Sequence, residues 1–260
     1  MSQTRIAFWK GDWSAVRTNL KAAKEMNEKG GDWDRRNRLK VYEGAYLITQ
    51  RDFKGASSLL LDSIATFTAT ELLSYDRFVF YTVISCIKCL DRPTLKKKVI
   101  DSPDVIAVIG NIPHLESLLH SLYECRYRSF FDALTSIYPY LTSDRLLHKH
   151  APFFFREMRL MAYTQFLESY KSVTITGMGK QFGLSPAFID GELARFISAG
   201  RISAKVDAVN GAIETTRPDN KNGQYHVLIK KGDLLLNKVQ NRDRVRQRVL
   251  PIVSFQWNGL

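Results

Sequence analysis

The chain has 260 residues, 45% of them hydrophobic, and a formal net charge of +12, enough for one large core or two modest ones. No stretch approaches the ~18 consecutive apolar residues of a membrane span, and the opening Met1-Ser2-Gln3-Thr4-Arg5 lacks the apolar centre of a signal peptide. Three cysteines suit no disulfide framework, so the expectation is a soluble protein of a reducing, intracellular compartment.

In chain order, Asp12 is placed to cap a helix running to about Lys29, and Asp32 another running to about Thr49, both with apolar residues at helical spacing. Gly11-Asp12-Trp13 with Leu20 is echoed 40 positions later by Arg51-Asp52-Phe53 with Leu60. A repeated aspartate and aromatic at a helix start points to stacked helical hairpins. The period is longer than the ~34 residues of a tetratricopeptide repeat, so the expected form is a related α-solenoid. Asp76 to Leu90, Thr94 to Ile100, Pro113 to Cys125 and Arg128 to Ile137 also read as helical, with a further hairpin turn at Arg126-Tyr127 and breaks at Pro139 and Ser143. A long amphipathic helix, about Ala151 to Tyr170, carries Phe154, Met158, Met161 and Leu167 and joins the two halves of the chain. Without a low-complexity linker, the halves are expected to share an interface.

Lys171 to Thr215 reads as a complete small module. Val173 and Ile175 alternate with polar residues in a strand over Ser172 to Thr176, and a brief helix follows over Met178 to Phe182. Ser185, Pro186 and Gly200 bracket a second helix, Pro186 to Ala199, whose Ile189, Leu193, Phe196 and Ile197 share one face. Strands over Arg201 to Val206 and Ala212 to Thr215, joined by a tight Asn210-Gly211 hairpin, complete a winged helix. Such modules grip DNA or join protein subunits. The second helix holds Asp190 and Glu192 against Arg195 alone, which disfavours phosphate contact and favours protein assembly.

Residues 221–260 carry eight Lys and Arg against Asp233 and Asp243, which is half of the net charge and reads as a solvated helix face. The expected helix, about Gln224 to Val249, has an apolar stripe of Leu228, Leu235 and Val239, extended by Val245 and Val249, with Gly232 as its weak point.

No chemistry assembles from these residues. Cys86-Ile87-Lys88-Cys89 has zinc-ligand spacing but no second pair, so both thiols are expected in the core. His148 and His150 read as loop histidines, and the aromatics, among them Phe153-Phe154-Phe155, as helix packing. Phosphate loops, nucleophile elbows and zinc-hydrolase motifs are lacking; no catalytic, cofactor-binding or metal-binding residue is assigned.

Helical repeats feeding into a winged helix, with a further helix behind, resemble the PCI-domain proteins of the proteasome lid, the COP9 signalosome and a translation initiation factor. Five runs are similar to the non-ATPase regulatory subunit 6 type of 26S proteasome lid subunit: Gly30 to Tyr42 (GGDWDRRNRLKVY), Ser121 to Tyr127 (SLYECRY), Arg156 to Arg159 with Ala162-Tyr163, Arg195 to Arg201 (RFISAGR) and Lys230 to Asn237 (KKGDLLLN). The likeness extends from about Val16 to Val249; relatives carry further helices before it, and the tail after Leu250, with Phe255 and Trp257, does not match.

The resemblance implies a mainly α fold: an α-solenoid of TPR-like hairpins over 1–150, the winged-helix part of a PCI domain over 151–219, and a C-terminal helix and tail over 220–260. It implies a non-catalytic scaffold of the lid, in cytoplasm and nucleus, with other PCI and MPN subunits as partners and no cofactor, small-molecule substrate, membrane or nucleic acid. Arg201, Ser203, Lys205 and Ile213 on the wing, and Leu228, Leu235 and Val239 on the last helix, are the candidate protein-interface residues. A place in another PCI complex, or a stand-alone winged-helix nucleic-acid binder, stays open on the sequence alone.

Overall fold

The computed structural model describes residues 2–30, 32–207, 210–216, 225 and 228–238. Val239, expected on the last helix's stripe, lies outside them. The helices in order are α1 (Ser2–Lys10), α2 (Trp13–Glu28), α3 (Trp33–Thr49), α4 (Phe53–Leu61), α5 (Tyr75–Cys89), α6 (Arg92–Leu95), α7 (Pro103–Ile109), α8 (Leu115–Tyr123), α9 (Tyr127–Ser143) and α10 (Ala151–Leu167). A π-helical turn, Lys96–Ile100, continues α6. The winged helix follows as β1 (Ser172–Thr174), α11 (Ile175–Phe182), α12 (Pro186–Ser198), β2 (Ala204–Asp207) and β3 (Ala212–Thr215). Residues 228–238 form a last helical segment, continuous through Gly232.

Each expected aspartate cap is made. Asp12 accepts from Ala15 N–H at 3.0 Å, Asp32 from Trp33 N–H at 2.7 Å and Asp52 from Gly55 N–H at 3.0 Å. The 40-residue echo is a repeated turn. Gly11, at φ 74, and Arg51, at φ 65, hold the left-handed position after α1 and α3. The next residue's amide closes each turn, Asp12 onto Ala7 O (3.1 Å) and Asp52 onto Leu47 O (3.0 Å). The turn occurs again at Arg126-Tyr127, where Cys125 has φ 60 and Arg126 N–H reaches Ser121 O at 2.9 Å. Successive helices α1 to α5 pack on their neighbours in order, as hairpin stacking requires.

Three expectations need correcting in this half. The short helices α1 and α7 were not foreseen, being too brief for a periodic signal. Helix α9 does not break at Pro139 but runs on to Ser143. Proline removes one amide bond, that to the carbonyl four residues back, yet Pro139 and Thr135 both face solvent, where water can satisfy the freed oxygen. His150 is no loop residue. It is buried in a 3-10 turn, accepting on Nδ1 from Arg51 Nε (3.2 Å) and donating from Nε2 to Thr49 O (2.9 Å), a pairing that fixes the tautomer.

One continuous core runs from Ala7 to Ile213, so repeats and winged helix share an interior. At the seam, Phe182 of α11 packs against Tyr127 (4.9 Å between ring centroids) and Phe131 (5.4 Å) of α9, and Phe166 (5.2 Å) and Tyr163 (5.3 Å) of α10. Large aromatic burial of this kind stabilises by about 2 kcal/mol per ring relative to exposure. The expected absence of a free linker is therefore met by an apolar joint centred on Phe182.

The sheet order is β1-β3-β2, antiparallel throughout. Strand β1 is shorter than expected because the Thr174 hydroxyl accepts from Gly177 N–H (3.2 Å), starting α11 at Ile175. Gly183, at φ 69, ends α11. Ser185 caps α12, and Gly200 at φ 67 ends it, with Gly200 N–H on Ile197 O and Arg201 N–H on Phe196 O, both 2.9 Å. Strand β2 ends one residue later than expected, at Asp207. Asp207 is registered with Ala212, and the Asp207 carboxylate accepts from the Asn210 side chain at 2.7 Å.

Candidate subunit interface

Central β3 divides its backbone between its two neighbours. Thr215 N–H bonds Lys171 O at 3.0 Å on the β1 side, whereas Thr216 N–H bonds Ser203 O at 3.1 Å on the β2 side. In an antiparallel ladder bonding pairs recur every second residue, so Lys205 bonds inward to Glu214, and the amides of Ala204 and Val206 point away from β3. That outer edge of β2 is unpaired among the described residues. The side chains of Ser203 and Lys205, two of the candidate interface residues, are exposed. Ile213 is not accessible there: it is fully buried at 0% on β3, between Val173 and Val206 in register. Its side chain belongs to the module's own core.

Arg201 also departs from the expected wing strand. Gly200's turn takes it out of the sheet, and its Nη2 donates to both oxygens of Glu157 on α10, at 2.8 and 3.1 Å. Lys88 of α5 reaches the same carboxylate at 2.8 Å. Burial would raise the Glu157 carboxyl, but hydrogen bonds from Arg201 and Lys88 outweigh it and hold the group below its ordinary value. One buried acid thus ties a repeat helix, the shared helix and the approach to the wing together.

A second acid does the same for α12. Glu192, counted above among the charges of the second helix, is buried: it takes Arg159 Nη2 at 2.7 Å and the Tyr163 hydroxyl at 3.1 Å, both from α10. Burial and the facing Glu192 carboxylate push the Tyr163 phenol up, keeping it a hydrogen-bond donor. The solvent face of α12 shows Gly191, Arg195 and Ser198, as the spacing predicts, together with Phe188 and Asp190. With one cation and one anion, this face offers little to a phosphate backbone.

The last helical segment presents the clearest apolar surface. Tyr225, Leu228, Leu235 and Leu234 are each 63% exposed, and Ile229 and Leu236 nearly as much. Tyr225, Leu228, Ile229, Gly232, Leu235 and Leu236 recur at three- and four-residue spacing, so a single face is broader than the Leu228–Leu235 stripe expected. Gly232 lies at its centre, with nothing within 4 Å of the place a Cβ would take. Elsewhere, Cys86 is fully buried with its thiol pushed up to about 12 by desolvation, whereas Cys89, expected in the core as well, is half-buried against it with its thiol also raised by burial; neither is a ready thiolate.

Helical hairpins sharing a core with a winged helix of order β1-β3-β2, followed by an amphipathic helix, define a PCI-domain protein. Residues 137–217 match the PCI domain, residues 1–98 match the 26S proteasome subunit RPN7, and residues 224–245 match the 26S proteasome regulatory subunit RPN7/PSMD6 C-terminal helix. Over most of its length the chain is similar to the RPN7/PSMD6 type of 26S proteasome regulatory subunit. Among its relatives, the 26S proteasome non-ATPase regulatory subunit 6 homolog of Arabidopsis thaliana is 51% identical over 241 residues, 93% of this chain and 62% of that one. The 26S proteasome regulatory subunit RPN7 of Saccharomyces cerevisiae is 45% identical over 240 residues, 91% of this chain and 56% of that one. COP9 signalosome complex subunit 1 of Arabidopsis thaliana is more distant, 25% identical over 163 residues, 63% of this chain and 37% of that one. The chain thus spans about 62% of the Arabidopsis relative's length, and the RPN7 match begins at residue 1, earlier than the Val16 expected.

Proposed function

We propose that this chain acts as a non-catalytic scaffold in the lid of the 26S proteasome regulatory particle, supporting ubiquitin-dependent protein degradation in cytoplasm and nucleus. In this reading residues 1–150 supply the helical repeats, 151–219 the winged-helix part of the PCI domain and 220–260 the helix that ties the chain to its neighbours. Its partners are other PCI and MPN subunits, and it takes no small-molecule substrate, cofactor or nucleic acid. The observation that carries the reading is the exposed face of Tyr225, Leu228, Ile229, Leu235 and Leu236, an apolar surface on one helix left uncovered among the described residues. A helix buried on such a face by partner helices gains what it lacks alone.

The unpaired edge of β2 supports a second contact of the same assembly, in which a strand of a neighbouring PCI subunit extends the sheet. The test is capture of the tagged chain from its native cells with the associated proteins identified. Changing Leu228 and Leu235 to aspartate should abolish capture of lid subunits while leaving the melting transition of the rest of the chain nearly unchanged. A large fall in melting temperature would mean that the face packs on its own domain, and capture that survives the double change would sink the scaffold role assigned to it.

A further inference from the structure

Arg51 occupies a position that favours glycine. The equivalent turn 40 residues earlier uses Gly11 at φ 74, whereas Arg51 adopts φ 65 with a full side chain, a conformation that costs an L-residue about 1–2 kcal/mol. The side chain that incurs this cost lies across the junction between repeats and α10. Its Nε donates to His150 Nδ1 at 3.2 Å, and its guanidinium lies 4.7 Å from the centroid of the Phe153 ring. A second guanidinium, that of Arg156 one turn along α10, lies 5.7 Å from the same centroid. Both arginines are exposed, and neither has a carboxylate partner among the described residues. The next arginine on the helix, Arg159, has one in Glu192. Two like charges gathered on one ring repel each other, an arrangement that an incoming anion would relieve.

We propose that Arg51 and Arg156, oriented by Phe153 and His150, form a docking point for a carboxylate-rich segment of another protein. Guanidinium forks match carboxylates in pairs of parallel hydrogen bonds, and here their orientation is set before binding, so little side-chain freedom remains to be lost. A nucleic acid is a poorer match. It draws a run of cations along successive phosphates, and along α10 the next arginine, Arg159, is already paired with Glu192. None of its residues belongs to the β2 edge or the last helix, so it stands whether or not the lid assignment does.

The test uses the full chain and a fluorescein-labelled octaglutamate peptide, read by anisotropy at low salt. Arg51→Gly relieves the turn's backbone but leaves His150 Nδ1 without its donor, and Arg156→Ala removes an exposed side chain whose contact is the ring, so a melt of each variant accompanies the binding assay and both should remain folded at its temperature. Together they should weaken peptide binding by more than about tenfold, while Lys97→Ala with Lys98→Ala, removing two exposed charges elsewhere, should change it by less than about twofold. Arg156→Lys should recover little, since an ammonium lacks the fork. Equal losses in the Lys97/Lys98 control, or no binding by the parent, would overturn the proposal. So would tighter binding of an oligothymidylate of the same charge with the same dependence on both arginines, which would assign the site to nucleic acid.

Discussion

Lys88 Nζ stands 2.8 Å from Glu157 Oε2, an ion pair that crosses from the repeat helix α5 to the helix α10 shared with the winged helix. Arg201 adds a second cation to the same carboxylate, which is only 3% exposed. Glu157→Gln would leave both cations facing an amide. Because Lys88 and Arg201 keep 23% and 45% of their side-chain exposure, water recovers part of the loss, and we expect about 1–3 kcal/mol of destabilisation at neutral pH. The folded carboxyl lies below its ordinary value of 4.5, so its contribution is fully present above pH 4.5 and is lost as pH falls through the lower folded value. Urea melts of parent and variant should therefore differ at pH 7 and converge in acid. A gap that persists unchanged into strong acid would mean that the cost of Glu157→Gln comes from packing, with the charge pair irrelevant.

The ladder register decides which prolines test the β2 edge. Lys205 bonds inward to Glu214, so Lys205→Pro cuts the module's own sheet and should lower the melting temperature. Val206 directs its amide outward, so Val206→Pro removes a donor that the folded chain does not use and keeps an apolar side chain at a half-buried position. Expected outcomes are a small stability change for Val206→Pro with weakened capture of neighbouring subunits, and a large stability change for Lys205→Pro. Normal assembly of the Val206 variant would remove strand addition at this edge from the account.

Much of this organisation was legible in the residues because local chemistry and packing agree. Aspartate caps, the 40-residue echo and the Ser185-Pro186…Gly200 bracket each act within a few residues, and the structure uses them as written. What escaped depends on distance. Nothing near Glu192 in the chain tells that Arg159 and Tyr163, more than 25 residues earlier, turn it inward, and nothing near Arg201 points to Glu157. Pro139 looked like a break because the solvent orientation that makes it tolerable is a property of the packed helix. Ile213 passed for an interface residue because the order β1-β3-β2, which puts β3 in the middle, is set by β1 lying some 40 positions upstream. The Arg51 docking surface left one trace, an arginine where its echo has glycine.

Gly232 supplies the last prediction. The helical segment 228–238 runs through it without interruption, yet glycine inside a helix costs about 1 kcal/mol relative to alanine, and a short exposed helix has little packing to offset this. Nothing lies within 4 Å of the position a Cβ would take, so Gly232→Ala meets no clash in the free chain. Helical content by far-ultraviolet circular dichroism should rise, and the main melting transition should stay where it is because the segment's apolar side chains are solvent-exposed. In the assembly the outcome turns on spacing. Gly232 lies between Leu228 and Leu235 on the apolar face, where partner helices in a bundle packed at ordinary side-chain distances leave room for a methyl group. Gly232→Ala should then enter the complex at least as well as the parent. Loss of capture with helicity raised would mean that a partner backbone approaches at Gly232 more closely than a Cβ permits, and the ordinary-bundle geometry would have to give way to a small-residue crossing.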